Sequence, residues 1–192
     1  MPFVQTMLSR KSSITNAFVN SIIPVIQPSS EEVASALRIL EIDPGELRCA
    51  YCGDKATEWD HLRPLVLKRR PTGFISEIAN LVPCCGKCNQ SKGNKNWRAW
   101  MLSNAKLSPA TRGILDLEER VRRLDDYERS REVEPIDFGA IAKSDAWSEY
   151  WAMCESVVAA LRRSQELAER VKAGVIAQWR KVGRSRAPRG ST

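Results

Sequence analysis

Two cysteine pairs of identical spacing, Cys49-x-x-Cys52 and Cys85-x-x-Cys88, bracket the middle of this chain, and its only histidine, His61, lies between them. A Cys-x-x-Cys turn presents both sulfurs to one side. Two such turns make a tetrahedral site for a soft cation, with metal–sulfur bonds of about 2.3 Å. That closure constrains everything between the pairs: the segment must fold back so that its two ends meet. A zinc ion held by Cys49, Cys52, Cys85 and Cys88 is structural, because four sulfurs leave no open position for a substrate. Cys84 competes with Cys85 as a ligand, but the two-residue spacing to Cys88 favours Cys85. Cys84 and Cys154 read as small buried side chains.

Six cysteines would also suit a disulfide framework. Residues 1–28, however, hold only short apolar pieces interrupted by Arg10, Lys11, Asn16, Asn20 and Pro24, unlike a secretory leader. The expected compartment is therefore the reducing cytoplasm, where paired cysteines bind metal rather than each other. No run approaches the roughly 20 apolar residues that span a bilayer, so no membrane role is expected. The 30 Lys and Arg against 23 Asp and Glu give a formal charge of +7, which favours a polyanionic partner.

With 192 residues the chain can form one compact core, or a small core with helical appendages. Residues 1–45 read as an N-terminal arm and helix. Ser30 with Glu31 and Glu32 starts the helix, Val33, Leu37 and Leu40 share one face of it, and Asp43-Pro44-Gly45 stops it after Ile42. Residues 46–102 change to short apolar pieces and turns, which suits two short strands, a long loop and one helix. Residues 103–183 read as helical. Ser108-Pro109 opens a stretch with Ile114, Leu117, Val121, Leu124 and Tyr127 at helical steps, and Pro135 and Gly139 interrupt it.

From Asp145 to about Val182, the positions Trp147, Trp151, Cys154, Val158, Leu161, Ala168, Val171, Val175 and Trp179 keep to one face, with Gln165 as the polar exception. This predicts one long helix, or two broken near Gly174. Its apolar stripe either packs on the 109–131 helix or forms the seam of a homodimer. Residues 184–192, with Arg184, Arg186 and Arg189, read as a disordered basic tail.

The chemistry lies between the cysteine pairs. Trp59-Asp60-His61-Leu-Arg-Pro64, Asn80-Leu81-Val82-Pro83 and Cys88-Asn89-x-x-Lys92-Gly93 follow one another in fixed order. A phosphodiester hydrolase needs a base to make hydroxide and a cation to hold charge on the phosphate; the His61 imidazole and the oxygens of Asp60 and Asn89 supply those functions. Together with the cysteine pairs, these segments resemble the HNH endonucleases, in the variant whose last histidine is asparagine. The resemblance covers the middle quarter of the chain, and its specificity comes from order and spacing together.

The resemblance implies an α+β fold, a zinc-stabilised ββα-metal module flanked by an N-terminal helix and a C-terminal helical region. It implies Asp60 and Asn89 as ligands of a catalytic Mg²⁺ (or Mn²⁺), both hard oxygen donors. His61 would be the general base, with an ordinary pKa of about 6.5. Asn80 would hold the loop and orient the histidine. Products would carry 5′-phosphate and 3′-hydroxyl ends. Lys92, Arg63 and Lys95 are candidate phosphate contacts on DNA. The basic loop with Lys68, Arg69 and Arg70, where a short Gly-rich loop is more usual, is a further candidate, with Arg69 or Arg70 able to reach a guanine edge. Trp59, Trp97 and Trp100 read as packing residues.

The flanks resemble those of small stand-alone HNH restriction endonucleases, which work as homodimers on palindromic DNA. Two other roles suit the same sequence: an HNH effector of a multi-component anti-phage defence system whose partner protein covers the helical stripe, and a zinc-stabilised DNA-binding module without catalysis. The presence of Asp60, His61 and Asn89 argues against the last, since binding alone requires none of them.

Overall fold

The computed structural model describes residues 6–131, 133–142 and 144–185. The basic tail predicted at 184–192 falls, from residue 186 on, outside the described residues. The chain forms two compact units. One joins residues up to Ala17 with those from Ala142, and the other is Phe18–Ile141. A helix α1, Lys11–Asn20, crosses from the first into the second. The predicted arm is therefore helical in part.

The first unit is dominated by one helix, which is α7 in chain order, Ser144–Ser185. Of the two alternatives, one long helix or two broken near Gly174, the structure has the first. A glycine costs a helix interior only about 1 kcal/mol relative to alanine, and the flanking turns outweigh it. A short 3₁₀ turn, Met7–Arg10, capped by Thr6, packs along α7, and the Met7 N–H donates to Gln165 Oε1 at 2.7 Å. Gln165, the one polar position of the stripe, thus receives an otherwise unpaired backbone donor. Trp151, Cys154 and Val158 in the first half of the stripe are buried. The second half is bare: Val171, Val175 and Trp179 are 67%, 62% and 72% exposed.

In the central unit, α2 (Ser30–Ile39) begins at a reciprocal cap, with the Glu32 N–H donating to Ser29 Oγ and the Ser29 N–H donating to the Glu32 carboxylate. Its Leu37 and the following Leu40 are buried as the periodicity predicted. Two strands then pair antiparallel, β1 (Glu58–His61) and β4 (Leu81–Cys84), with Asp60 opposite Val82 and His61 opposite Leu81. Between them an excursion carries a two-residue-per-strand hairpin, β2 (Val66–Leu67) and β3 (Arg70–Pro71). The segment read as a basic loop is thus a hairpin, with Lys68 and Arg69 as its turn.

After β4 come α3 (Gly86–Lys92) and α4 (Trp97–Met101). The helix expected from Pro109 starts only at α5 (Leu117–Ser130). Ser108 Oγ does accept the Thr111 N–H as a helix start would, but Gly113 then turns left-handed at φ 66° and ends the turn. The short α6 (Phe138–Ile141) closes the unit. The core gathers Leu40, Tyr51, Leu62, Val82, Trp97, Trp100, Leu124 and Tyr127 with the cysteine cluster, joining α2, the strand pair, α4 and α5. The architecture is mixed helix and small sheet, with the β1–β4 pair and α3 following one another as in a ββα module.

Candidate active site and zinc clamp

The two cysteine turns meet because β1 pairs with β4. The first knuckle is a tight turn, with Gly53 N–H donating to Cys49 O at 2.8 Å and Gly53 at φ 80°. A side chain on Gly53 would run into the Arg120 guanidinium, which donates to Cys49 O. Ala50 N–H donates to Pro83 O at 2.8 Å, so the first knuckle is tied to β4 just before the second. The sulfurs of Cys49, Cys52, Cys85 and Cys88 lie within 4.8 Å of one another, and Cys52 and Cys85 are 3.7 Å apart. A tetrahedron of bonds of about 2.3 Å has edges of about 3.8 Å. All six cysteines are free thiols, and Cys84, buried in β4, stands outside the cluster.

The donor set therefore fits zinc, and a bound cation would offset the charge that ionised thiols gather there. Cys88 is held far above the ordinary thiol range, first by hydrogen bonds with Cys49 and Cys52 and then by burial. Four thiolates at this spacing cannot all ionise without a compensating charge. Arg112 supplies part of it, donating to Cys88 Sγ at 3.6 Å while its other nitrogen pairs with Asp54 at 2.8 Å.

Asp60 is buried on β1. Its Oδ2 accepts two protons, from Tyr51 O–H at 2.7 Å and from Lys92 Nζ at 2.9 Å. Burial, and then the charge of Asp60, push the Tyr51 phenol well above its usual range, so it stays a donor. Tyr51 belongs to the first cysteine knuckle, which links the cysteine cluster directly to Asp60. Asp60 Oδ1 receives no protein donor among the described residues.

Lys92 requires a correction. Read from the sequence as a phosphate contact, it is 1% exposed, and its ammonium donates to Asp60, to His61 O at 2.8 Å and to Gly93 O at 3.3 Å. Its three protons are all committed inside the module. The face of α3 that carries it packs on β1 rather than facing solvent.

Asn89 sits on the same helix, and its Nδ2 donates to Glu58 Oε2 at 2.8 Å. A carboxylate can only accept, so the amide is oriented with Oδ1 turned away from Glu58. Glu58 and Asp60 share one face of β1 by strand alternation. Both oxygens proposed as ligands, Asp60 Oδ1 and Asn89 Oδ1, are thus left free while the partner atom of each is held. With Glu58 nearby, the donor set suits a hard divalent cation.

His61 is half-buried, and Nε2 lies 3.0 Å from Ser76 Oγ. Burial lowers its pKa below 6.5, and the neighbouring Lys92 charge lowers it further, against an opposing effect of Asp60. The net direction favours the neutral ring. Asn80, wholly buried, accepts the Arg63 N–H at 2.8 Å and donates to Arg63 O and Ile75 O. It holds both ends of the excursion and touches His61 only through what that loop carries. The Tyr127 hydroxyl of α5 shares its one proton between Ile78 O and Leu81 O, fixing the turn on which Asn80 sits.

The remaining cations divide. Arg63 pairs with Glu128 at 3.2 Å and lies over the Phe74 ring, so its role here is packing the excursion onto α5. Lys95 caps α3, donating to Ser91 O at 2.7 Å. Lys68, Arg69 and Arg70 are exposed on the hairpin. Trp97 and Trp100 are buried as expected, donating to Glu128 and Ser91. Sequence reasoning missed Tyr51, Glu58, Ser76 and Tyr127. Strand alternation could have found Glu58; the others are set by tertiary contacts alone.

With this geometry in place, residues 49–95 match the family model described as HNH endonuclease, and the chain carries an HNH endonuclease domain. A stretch of 71 residues is 37% identical to the CRISPR-associated endonuclease Cas9 of Corynebacterium diphtheriae. That match covers 35% of this chain and 6% of the relative's length. No solved structure matches the chain.

Proposed function

We propose that this chain is a metal-dependent DNA endonuclease that hydrolyses phosphodiester bonds to 5′-phosphate and 3′-hydroxyl ends, in the manner of a type II restriction enzyme acting on double-stranded DNA. The observation that carries the reading is the pair of freed oxygens, Asp60 Oδ1 and Asn89 Oδ1, each with its partner atom held by a protein group, on the strand and helix that also carry His61, whose pKa burial lowers, and Lys92. These oxygens would hold one Mg²⁺ or Mn²⁺. When bound, the cation supplies charge neutralisation at the phosphate and at the leaving 3′ oxygen.

The chain's own groups do the rest. His61 takes a proton from the attacking water, which burial and Lys92 favour by keeping the ring unprotonated. Tyr51 and Lys92 hold Asp60 Oδ2 in place, and Glu58 keeps the Asn89 amide from flipping. Asn80 keeps the excursion closed. A zinc ion on the four cysteines would tie the two ends of the module together and add to the core that Tyr51, Leu62, Val82, Trp97 and Trp100 form around it. Exposed Lys68 and Arg69, with Arg70, are the proposed DNA contacts. They stand on a turn whose φ values, 49° and 66°, suit Asn-Gly better than Lys-Arg. A turn that keeps cations at an energetic cost is consistent with the charge being used. The reduced cysteines are consistent with a cytoplasmic setting.

The bare half of α7 supports a partner, and we assign it first to a second copy of this chain, as a homodimer on a palindrome requires. The same stripe favours a second reading, an effector whose anti-phage defence partner covers it. The two part in one experiment. Purified protein and its His61→Ala variant are incubated with unmethylated plasmid and phage DNA plus Mg²⁺, and the ends are sequenced. Discrete His61-dependent fragments sharing a short palindrome support the restriction reading. Activity that appears only with a partner protein supports the second, and cleavage by His61→Ala equal to wild type overturns the site.

A further inference from the structure

Ser76 is not a residue that metal binding or charge would single out, yet its hydroxyl oxygen lies 3.0 Å from the ring nitrogen Nε2 of His61, and it is the side-chain partner found for that ring. Its backbone is held at both its N–H and its carbonyl oxygen. The Ser76 N–H donates to Pro24 O at 3.1 Å, and Ser76 O accepts the Ile26 N–H at 2.8 Å, a parallel bridge made by residues upstream of α2. Next to it, Ile75 O accepts from Asn80 Nδ2 at 3.3 Å. The hydroxyl is thus aimed by the buried asparagine and by an N-terminal strap, residues 24–26, that lies outside the residues matching the nuclease family.

We propose that Ser76 is a positioning residue that fixes the tautomer of His61. The Nε2–H donates to Ser76 Oγ, and the lone pair is left on Nδ1. The strap at residues 24–26 is the device that keeps Ser76 in place. The inference rests on the proposed nuclease reading for its purpose, because only this direction of the hydrogen bond leaves a basic nitrogen for water. If Ser76 donated to Nε2 instead, the proton would sit on Nδ1 and the ring could not act as base from that side. A neutral imidazole in water is a mixture of both tautomers, so a fixed acceptor on one nitrogen removes the unproductive form rather than altering the charge.

The chain has one histidine, so a protein labelled with ¹⁵N in the imidazole ring gives an unambiguous spectrum. The expected result for wild type, at a pH where the ring is neutral and without Mg²⁺ or DNA, is a protonated Nε2 and a bare Nδ1. Ser76→Ala should show averaging toward a mixture of tautomers, and Ser76→Thr should restore the wild-type pattern. The melting temperatures of the three proteins are compared to show that each is folded. In parallel, Ser76→Ala should lower the Mg²⁺-dependent cleavage rate by about 10-fold with its Mg²⁺ requirement unchanged, and Ser76→Thr should recover most of it. A wild-type ring protonated on Nδ1, or a Ser76→Ala spectrum identical to wild type, overturns the proposal. If wild type shows the expected tautomer but cuts no DNA under any condition, the positioning role stands and it is the nuclease reading that fails.

Discussion

Lys92 Nζ stands 2.9 Å from Asp60 Oδ2 and 2.8 Å from the backbone oxygen of His61, so one buried ammonium holds the side chain of the proposed metal ligand and the backbone of the proposed base. The same Oδ2 takes the Tyr51 hydroxyl from the cysteine knuckle. A carboxylate fixed at one oxygen by two donors offers the other oxygen to a cation at little entropic cost, and the cysteine cluster, β1 and α3 all converge on it.

Removing the lysine should therefore damage the fold more than DNA binding. Lys92→Met keeps the volume and leaves Asp60 buried without its counter-charge. The expected loss of stability is about 3 kcal/mol, as for other buried pairs broken on one side. Urea unfolding measures it. DNA affinity at a temperature where the variant remains folded should change less than twofold, and a large drop in affinity with unchanged stability would return Lys92 to the list of phosphate contacts.

The hairpin tip predicts opposite signs for stability and binding. Lys68 and Arg69 both occupy left-handed backbone, which L-residues adopt at a cost of about 1 kcal/mol each, whereas Asn-Gly fits that turn. The double variant Lys68→Asn, Arg69→Gly should unfold at a higher urea concentration than wild type. It should also bind DNA more weakly, with a log–log salt slope about 2 units shallower if both cations meet phosphates. Weaker folding together with unchanged DNA affinity would remove the hairpin from the DNA interface.

The cysteine cluster should bind one zinc per chain, with Cys84 irrelevant to it. Metal analysis of Cys84→Ser should find zinc content equal to wild type, and Cys52→Ser or a strong chelator should empty the site and unfold the central unit. Arg112→Leu is expected to keep the metal but release it faster to chelator, because the guanidinium beside Cys88 no longer offsets thiolate charge. Zinc retention by Cys52→Ser, or its loss from Cys84→Ser, would change the ligand set.

What could be read from the sequence was local. The cysteine pairs, Asp60-His61 and Asn89 declare themselves because their spacing is short and their chemistry specific. The stripe of α7 was legible because a helix repeats, although periodicity alone left open whether Gly174 breaks it. Ser76 and Tyr127 acquire their roles only when the excursion between β1 and β4 returns and α5 lies against it, and no periodicity marks such contacts. Lys92 misled for a related reason. A lysine after Asn89 looks like a solvated helix charge until α3 packs that face against β1 and the three donors of the ammonium find buried oxygens.

The His61 ring makes a prediction about pH that needs neither DNA nor Mg²⁺. Burial, helped by Lys92, lowers its folded pKa below the 6.5 of an unfolded histidine. As pH falls below about 6.5, the unfolded chain takes up this proton before the folded one does. Stability must therefore decline through the window between 6.5 and the folded pKa, with a slope of at most about 1.4 kcal/mol per pH unit, and level off below it. The cysteines and carboxylates also titrate in acid, so the quantity to measure is the difference between wild type and His61→Gln, both saturated with zinc, in urea unfolding between pH 7.5 and 5. That difference should shift against wild type as pH falls. If it stays constant across the window, the ring is not desolvated by the fold, and the neutral base assigned to this site loses its physical cause.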